Sequence, residues 1–215
     1  MTDKAPRRSP EPAERQRDAE RSRHLLLEAA VAEFSAHGFS GARVGDIAAR
    51  AGVNKQLISY YFGGKQGLFD AISDRWRRDE QALTSPDAPL SEIAREYALQ
   101  TSRSPDLARL VLRQGLDGTG ATAGNEDAQR TRFREVAADF ERRREAGELA
   151  ADLDPASVGL ALFAMAAAPV GFPHIARALG LDVDAPDFGE RYAAQVARIV
   201  SLLSDDRPRP LRTDG

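Results

Sequence analysis

The run 44–65, VGDIAARAGVNKQLISYYFGGK, leaves this chain little conformational freedom. It holds two short segments with apolar residues at helical spacing and a tight turn between them. In the first, Val44, Ile47, Ala48 and Ala51 share one face. Gly52 stands where that helix must end, because glycine enters the left-handed conformation without a Cβ clash. Asn54 offers a side-chain oxygen to an orphan backbone N–H of the second segment. There Ile58 and Phe62 lie one turn apart and face inward, leaving Lys55, Gln56, Ser59 and Tyr60 outward. That outward set can hydrogen-bond to phosphates or base edges and contains no acid. A short helix of this kind fits the DNA major groove, where each base pair presents a different edge. Helix, glycine turn and second helix are the parts of a helix-turn-helix, whose second helix does the reading. An ordinary helical hairpin with a polar face has the same spacing, so the pattern alone leaves both open.

A longer register surrounds the run. Arg23, Leu27, Ala29, Ala30, Phe34, Gly38 and Phe39 precede it. Val44, Asp46-Ile47-Ala48, Ala51-Gly52-Val53, Ile58, Tyr61-Phe62 and Lys65 fall within it, and Leu68-Phe69 follow. On these residues, 24–69 resembles, without a gap, the amino-terminal domain of the tetracycline-repressor (TetR-type) family of bacterial helix-turn-helix transcription regulators. The resemblance implies an all-α fold: a three-helix DNA-binding head and a larger helical bundle for effector binding and dimerisation, about nine helices in all. It also implies that Lys65 clamps a DNA phosphate. The open N–H groups after Gly63-Gly64, at the start of a helix, suit an anion for the same reason. The candidate DNA-binding set is Arg43, Lys55, Gln56, Leu57, Ser59, Tyr60, Tyr61 and Lys65. Departures from the family pattern bear on specificity. Ala42-Arg43 replace the Thr/Ser pair that usually opens the second helix, a lost cap worth ~1 kcal/mol, while Arg43 gains reach toward DNA. Gly45, Leu57 and Ser59 also differ, so no relative's operator sequence carries over.

Charge is divided unevenly. The whole chain carries −3, but residues 1–69 hold 11 Lys/Arg against 8 Asp/Glu, +3, which leaves −6 for the remainder. Positive charge thus sits in the half that would meet phosphate. Residues 1–20 are rich in Pro, Arg, Glu and Ala without apolar periodicity and read as a disordered arm. Arg15, Arg17, Arg21 and Arg23 approach the first helix and can reach a phosphate or a minor groove. A first helix over about 22–36 places Leu27, Ala30, Val31 and Phe34 on one face, and Gly38 ends it. The fourth turns Leu68, Phe69, Ile72 and Trp76 inward.

The expected DNA-binding domain is 21–83, with a turn-rich break at 84–89 and a helical effector-binding and dimerisation domain over 84–205. Residues 206–215 read as a flexible tail. Beyond the break, Leu90, Ile93, Ala94 and Tyr97 mark one helix, and Leu107, Leu110, Val111 and Gln114 the next. Phe133, Val136, Ala137 and Phe140 mark a third, closed by Gly147. Asp154-Pro155 opens a helix that is apolar all round and should be buried on every side. The last carries Phe188, Tyr192, Val196, Ile199 and Leu203 in one stripe. The resemblance implies that the final two long helices pair with those of a second subunit, and a homodimer suits a palindromic operator. It further implies a cavity for a small-molecule effector. Tyr97, Phe133, Phe140, Phe163, Met165 and Phe172 are its candidate lining, and so apolar a set points to an apolar or aromatic effector.

Other chemistry finds no support. There is no cysteine, which removes disulfides, thiolate nucleophiles and cysteine-held zinc. His24, His37 and His174 lack metal-ligand spacing, and Asp182 and Asp184 lack the glycine and final Glu of a calcium loop. The glycine-rich 115–125 has no Gly-Lys-Ser/Thr after it, and no G-x-S-x-G occurs. The expectation is therefore a non-enzyme with no cofactor and no metal. The polar start shows no signal peptide, and the most apolar run, 158–172, is shorter than the ~20 residues needed to span a bilayer. A soluble cytoplasmic protein without a membrane partner is expected. The resulting reading is a sequence-specific repressor on double-stranded DNA, released by a small molecule. A ligand-independent activator or nucleoid-type factor, and an all-helical enzyme, are the alternatives.

Overall fold

The computed structural model describes residues 12–83, 88–116 and 126–203. Among them are ten helices and no strand. Most of the expected arm, the break at 84–87, most of the glycine-rich loop and the tail lie outside the described residues. By contacts the chain forms two compact units, Met1–Trp76 and Arg77–Gly215.

The first unit contains α1 (Pro12–Gly41), α2 (Val44–Ala51), α3 (Gln56–Phe62) and the beginning of α4 (Lys65–Leu83). The first helix starts at Pro12, well before the expected position near Ser22. Proline's fixed φ suits a first turn, and polar residues one turn apart extend the helix without packing. Gln16 Nε2, for instance, donates to Glu20 Oε1 at 3.3 Å. The helix is interrupted at Gly38 (φ 69°, ψ 173°), where the chain turns toward α2. Its buried stripe is rotated one residue from the expected one: Leu26 is fully buried, whereas Leu27 is only partly so. Leu26, Ala30, Phe34, Ile47, Ile58, Leu68, Phe69 and Ile72 are all buried in this unit. Phe34 is fully buried. The Phe69 ring lies edge-on at 5.2 Å and Phe39 stacks at 5.9 Å.

The second unit contains α5 (Leu90–Arg103), α6 (Pro105–Leu116), α7 (Glu126–Glu145), α8 (Pro155–Gly171), the short α9 (Pro173–Ala178) and α10 (Phe188–Ser201). Helix α5 packs against both α10 and α8. The core there gathers Leu90, Ala94, Ala98, Leu99, Leu149, Leu162, Ala166, Ala193, Val196 and Val200. Asp154 caps α8 by accepting the Ser157 N–H at 2.8 Å, and its bonds to Ser157 hold the carboxyl below its ordinary range. Burial on every side does not hold for α8. Leu160 is 70% exposed and Ala161 and Ala164 also face out, because α5, α6 and α7 cover only one side. Ile199 of α10, expected in the inward stripe, is likewise exposed.

Pro169 sits inside α8 and has no N–H to give the carbonyl of Met165 one turn back. That carbonyl is satisfied from another helix: the Tyr192 hydroxyl of α10 donates to it at 2.7 Å. Burial pushes this phenol's pKa up. Tyr192→Phe is expected to destabilise the chain by about 1–3 kcal/mol, the cost of an unsatisfied buried acceptor. Chemical denaturation measures it, and an unchanged midpoint would show that the carbonyl does not depend on the hydroxyl. Among the described residues no helix is long and apolar enough to cross a membrane.

Candidate nucleic-acid interface

Helix α2 ends in a tight reversal. Gly52 adopts φ 66°, and the N–H groups of Gly52 and Val53 return to Ala49 and Ala48 at 3.1 Å, closing the carbonyl end. The Asn54 side-chain oxygen accepts the Gln56 N–H at 2.8 Å and starts α3. Ile47, Ala48 and Ile58 face inward and pin the two helices to the core of the first unit. A third helix follows at once. Gly67 in the first turn of α4 lies so near the end of α3 that an added Cβ would meet the Phe62 carbonyl oxygen at 1.8 Å.

This seating decides which side chains reach solvent. Lys55, Gln56, Ser59 and Arg43 are exposed, and Tyr60 is 79% exposed, unusual for a large aromatic ring. Leu57 and Tyr61 are partly buried, and the Tyr61 ring packs between Tyr60 (5.0 Å) and Phe62 (6.3 Å). Lys65 is partly buried. Its Nζ lies 4.8 Å over the Phe39 ring and donates to the Ser40 carbonyl at 3.3 Å. Arg43, Lys55, Ser59 and Lys65 line one groove of about 560 Å³, with Asp46 its sole acid. Three cations from three elements therefore share a concave surface beside the exposed face of α3. Cations in a groove next to a helix with polar side chains can hold a phosphate backbone while the helix probes base edges.

Two residues of α1 adjoin this surface, Arg23, which the sequence had placed near DNA, and Glu33, which it had not. Arg23 of α1 stacks its guanidinium 5.4 Å above the Phe62 ring, beside the end of α3. Glu33, also on α1, is only 4% exposed, and its Oε1 accepts the Arg43 N–H at 3.4 Å. The missing Thr/Ser at the start of α2 had signalled an uncapped helix. Arg43 indeed supplies no side-chain cap, but an acceptor arrives from the neighbouring helix. An acidic residue one position before the buried Phe34 was the available clue.

The candidate effector-site residues separate. Tyr97, Phe140 and Met165 pack against the core of the second unit, and the Phe163 ring lies 6.4 Å from that of Tyr97. Phe133 and Phe172 are 52% and 54% exposed, so these two stand at the surface and not in an interior cavity. Burial pushes the Tyr97 phenol up to about 12, and among the described residues its hydroxyl has no hydrogen-bond partner.

Comparison with known proteins agrees with this geometry. Residues 26–72 match the family model described as bacterial regulatory proteins, tetR family. The chain is 37% identical over 125 residues to the HTH-type transcriptional repressor SCO4008 of Streptomyces coelicolor, covering 57% of this chain and 65% of that protein. It is 43% identical over 110 residues to the repressor NicS of Pseudomonas putida, and 37% over 112 residues to the regulator RutR of Escherichia coli. These last two matches cover 47% and 48% of this chain, and 52% of each relative. The chain thus spans between about half and two thirds of the length of these curated relatives. The fold is shared with the crystal structure of the transcriptional regulator SCO4942 of Streptomyces coelicolor (TM-score 0.68, 24% identity, 88% of this chain and 99% of that one). It is shared too with the hemolysin II regulator HlyIIR (TM-score 0.58, 18% identity, 87% of this chain and 99% of that one). The helix-turn-helix of the first unit, its basic groove and the match over residues 26–72 together show that this part of the chain is similar to the tetR family of bacterial regulatory proteins.

Proposed function

We propose that this protein is a sequence-specific DNA-binding transcription regulator, a repressor that works as a homodimer on a palindromic operator in the bacterial cytoplasm. The observation that carries the reading is the groove shared by Arg43, Lys55 and Lys65 beside the exposed face of Gln56, Ser59 and Tyr60. Lysine and arginine at the groove supply the salt-dependent phosphate term, and the amide, hydroxyl and phenol supply the base contacts. Fluorescence anisotropy with duplexes from the protein's own upstream region tests this division of labour. Lys65→Ala should weaken all sequences alike and flatten the salt slope by about one. Gln56→Ala should change base preference. Equal loss of preference from both would overturn the assignment.

The exposed apolar side of α8 and α10 supports the homodimer: Leu160, Ile199 and Leu202 are 70%, 46% and 51% exposed, and the exposed alanines of α8 permit close helix approach. Leu160→Asp is expected to convert a dimer to a monomer in sedimentation velocity. A wild type that sediments as a monomer at micromolar concentration would remove the dimer from this account. Tyr97, partly buried beside Phe163 and, among the described residues, without a partner for its hydroxyl, supports a small effector that is largely apolar and carries one hydrogen-bonding group. Release from DNA then requires that the effector favour the non-binding conformer, by ~5.5 kcal/mol for a full switch of population. A thermal-shift panel in which only highly charged metabolites raised the melting temperature would count against this effector class.

A further inference from the structure

We propose that Glu33 is a positioning residue for DNA reading: it caps α2 from α1 and so seats Arg43 in the basic groove. The inference rests on the transcription-regulator reading above. A helix start leaves backbone N–H groups without partners, and the usual remedy lies within the same helix. In a capping box an acid three residues into the helix reaches back to the N–H of the capping residue. Here that residue is Arg43, with extended backbone (φ −117°, ψ 127°) and no side-chain cap of its own. Its N–H donates instead to Glu33 Oε1, ten residues earlier, at 3.4 Å.

The Glu33 carboxylate stands where a charged group is rare. It is 4% exposed in a core otherwise made of Leu, Ile, Ala and Phe, where an unpaired charge is costly. His37 of the same helix also lies near it: its Nδ1 is 3.3 Å from Oε1 and is hydrogen-bonded to the Glu33 backbone carbonyl, also at 3.3 Å. Its negative charge near the beginning of α2 is favourable to the helix dipole. The consequence for DNA is geometric. Arg43, Val44, Gly45 and Asp46 form the first turn of α2 and one wall of the basic groove. Without the cap the Arg43 side chain loses its fixed place in the groove of the free protein, and binding must order it again at a cost in affinity.

The test compares Glu33→Gln, which keeps an acceptor oxygen, with Glu33→Met, which does not, alone and combined with Arg43→Ala. Operator affinity should fall about fivefold to tenfold in Glu33→Met, the size of one lost cap. Glu33→Gln should restore it to near the wild-type value, and Glu33→Met should cost little further once Arg43 is already alanine. Equal affinities for the Gln and Met variants, or a loss that persists unchanged beside Arg43→Ala, would overturn the proposal. Should Glu33→Met fail to fold, amide exchange of the wild type decides. A protected Arg43 N–H supports the cap, and one exchanging at the rate of an unstructured chain refutes it. A wild type with a protected Arg43 amide that binds no duplex from its own upstream region fails the regulator reading, while the cap itself stands.

Discussion

Phe34→Ala should unfold the first unit at about 3–5 kcal/mol less free energy than the wild type requires, the usual cost of emptying a buried aromatic site. Phe34 is fully buried, and the rings of Phe39 and Phe69 lean on it from two directions. Those two rings also contact each other at 5.0 Å, so neither can move into the vacancy without leaving its partner. Small collapse means a large residual cavity, which places the cost toward the upper part of that range. Urea denaturation followed by the fluorescence of Trp76, the single tryptophan, reads the change. DNA affinity should vanish in parallel with the folded fraction. A variant that remains fully folded yet loses DNA would show that Phe34 acts on the interface itself. A loss below ~1 kcal/mol, the size of an average substitution, would show that the aromatic cluster is not the core of this unit.

Arg143→Ala is the second large effect, and it falls in the other unit. Arg143 is 4% exposed, and its Nε donates to Asp139 Oδ2 at 2.8 Å. Nη1 donates to the Ala88 carbonyl at 2.8 Å and to Glu148 at 3.0 Å. Burial acts against the guanidinium charge, but Asp139 and Glu148 outweigh it and hold the pKa above the ordinary value. Glu148 in turn accepts the Leu90 N–H at 2.8 Å and so caps α5, whose own capping residue is a proline. One guanidinium thus ties the end of α7 to the start of α5. Removing it should cost about 3 kcal/mol, the low end of the ~3–5 expected for breaking a buried pair, because Asp139 and Glu148 keep some contact with water. Arg143→Lys should recover only part of this, since an ammonium cannot serve three acceptors in the fork geometry. Thermal denaturation of the two variants gives the comparison. Equal stability of Arg143→Lys and wild type would show that charge alone matters.

The order of the helices, the all-α class and the helix-turn-helix were legible in the sequence, because they rest on local rules. Periodicity put Ile47, Ala48 and Ile58 inside, Gly52 marked a left-handed stop, and Asn54 met the next helix with its side chain. The same rules exposed Lys55, Gln56, Ser59 and Tyr60. Where several apolar residues adjoin, local rules are degenerate. Leu25, Leu26 and Leu27 all suit the inner face of α1, and only the position of the neighbouring helices selects Leu26. An apolar helix such as α8 likewise reads as buried all round, although the chain covers one side of it.

What tertiary structure alone decided is the pairing of groups distant in sequence. The chain states that the α2 and α5 starts lack local caps and that Met165 loses a bond to Pro169. It does not state that Glu33, Glu148 and Tyr192 supply the missing partners from elsewhere. Backbone and side-chain polar groups must be satisfied once water is removed, but any acceptor or donor within reach will serve. Reach is a property of packed helices in three dimensions, and neighbouring residues along the chain do not determine it.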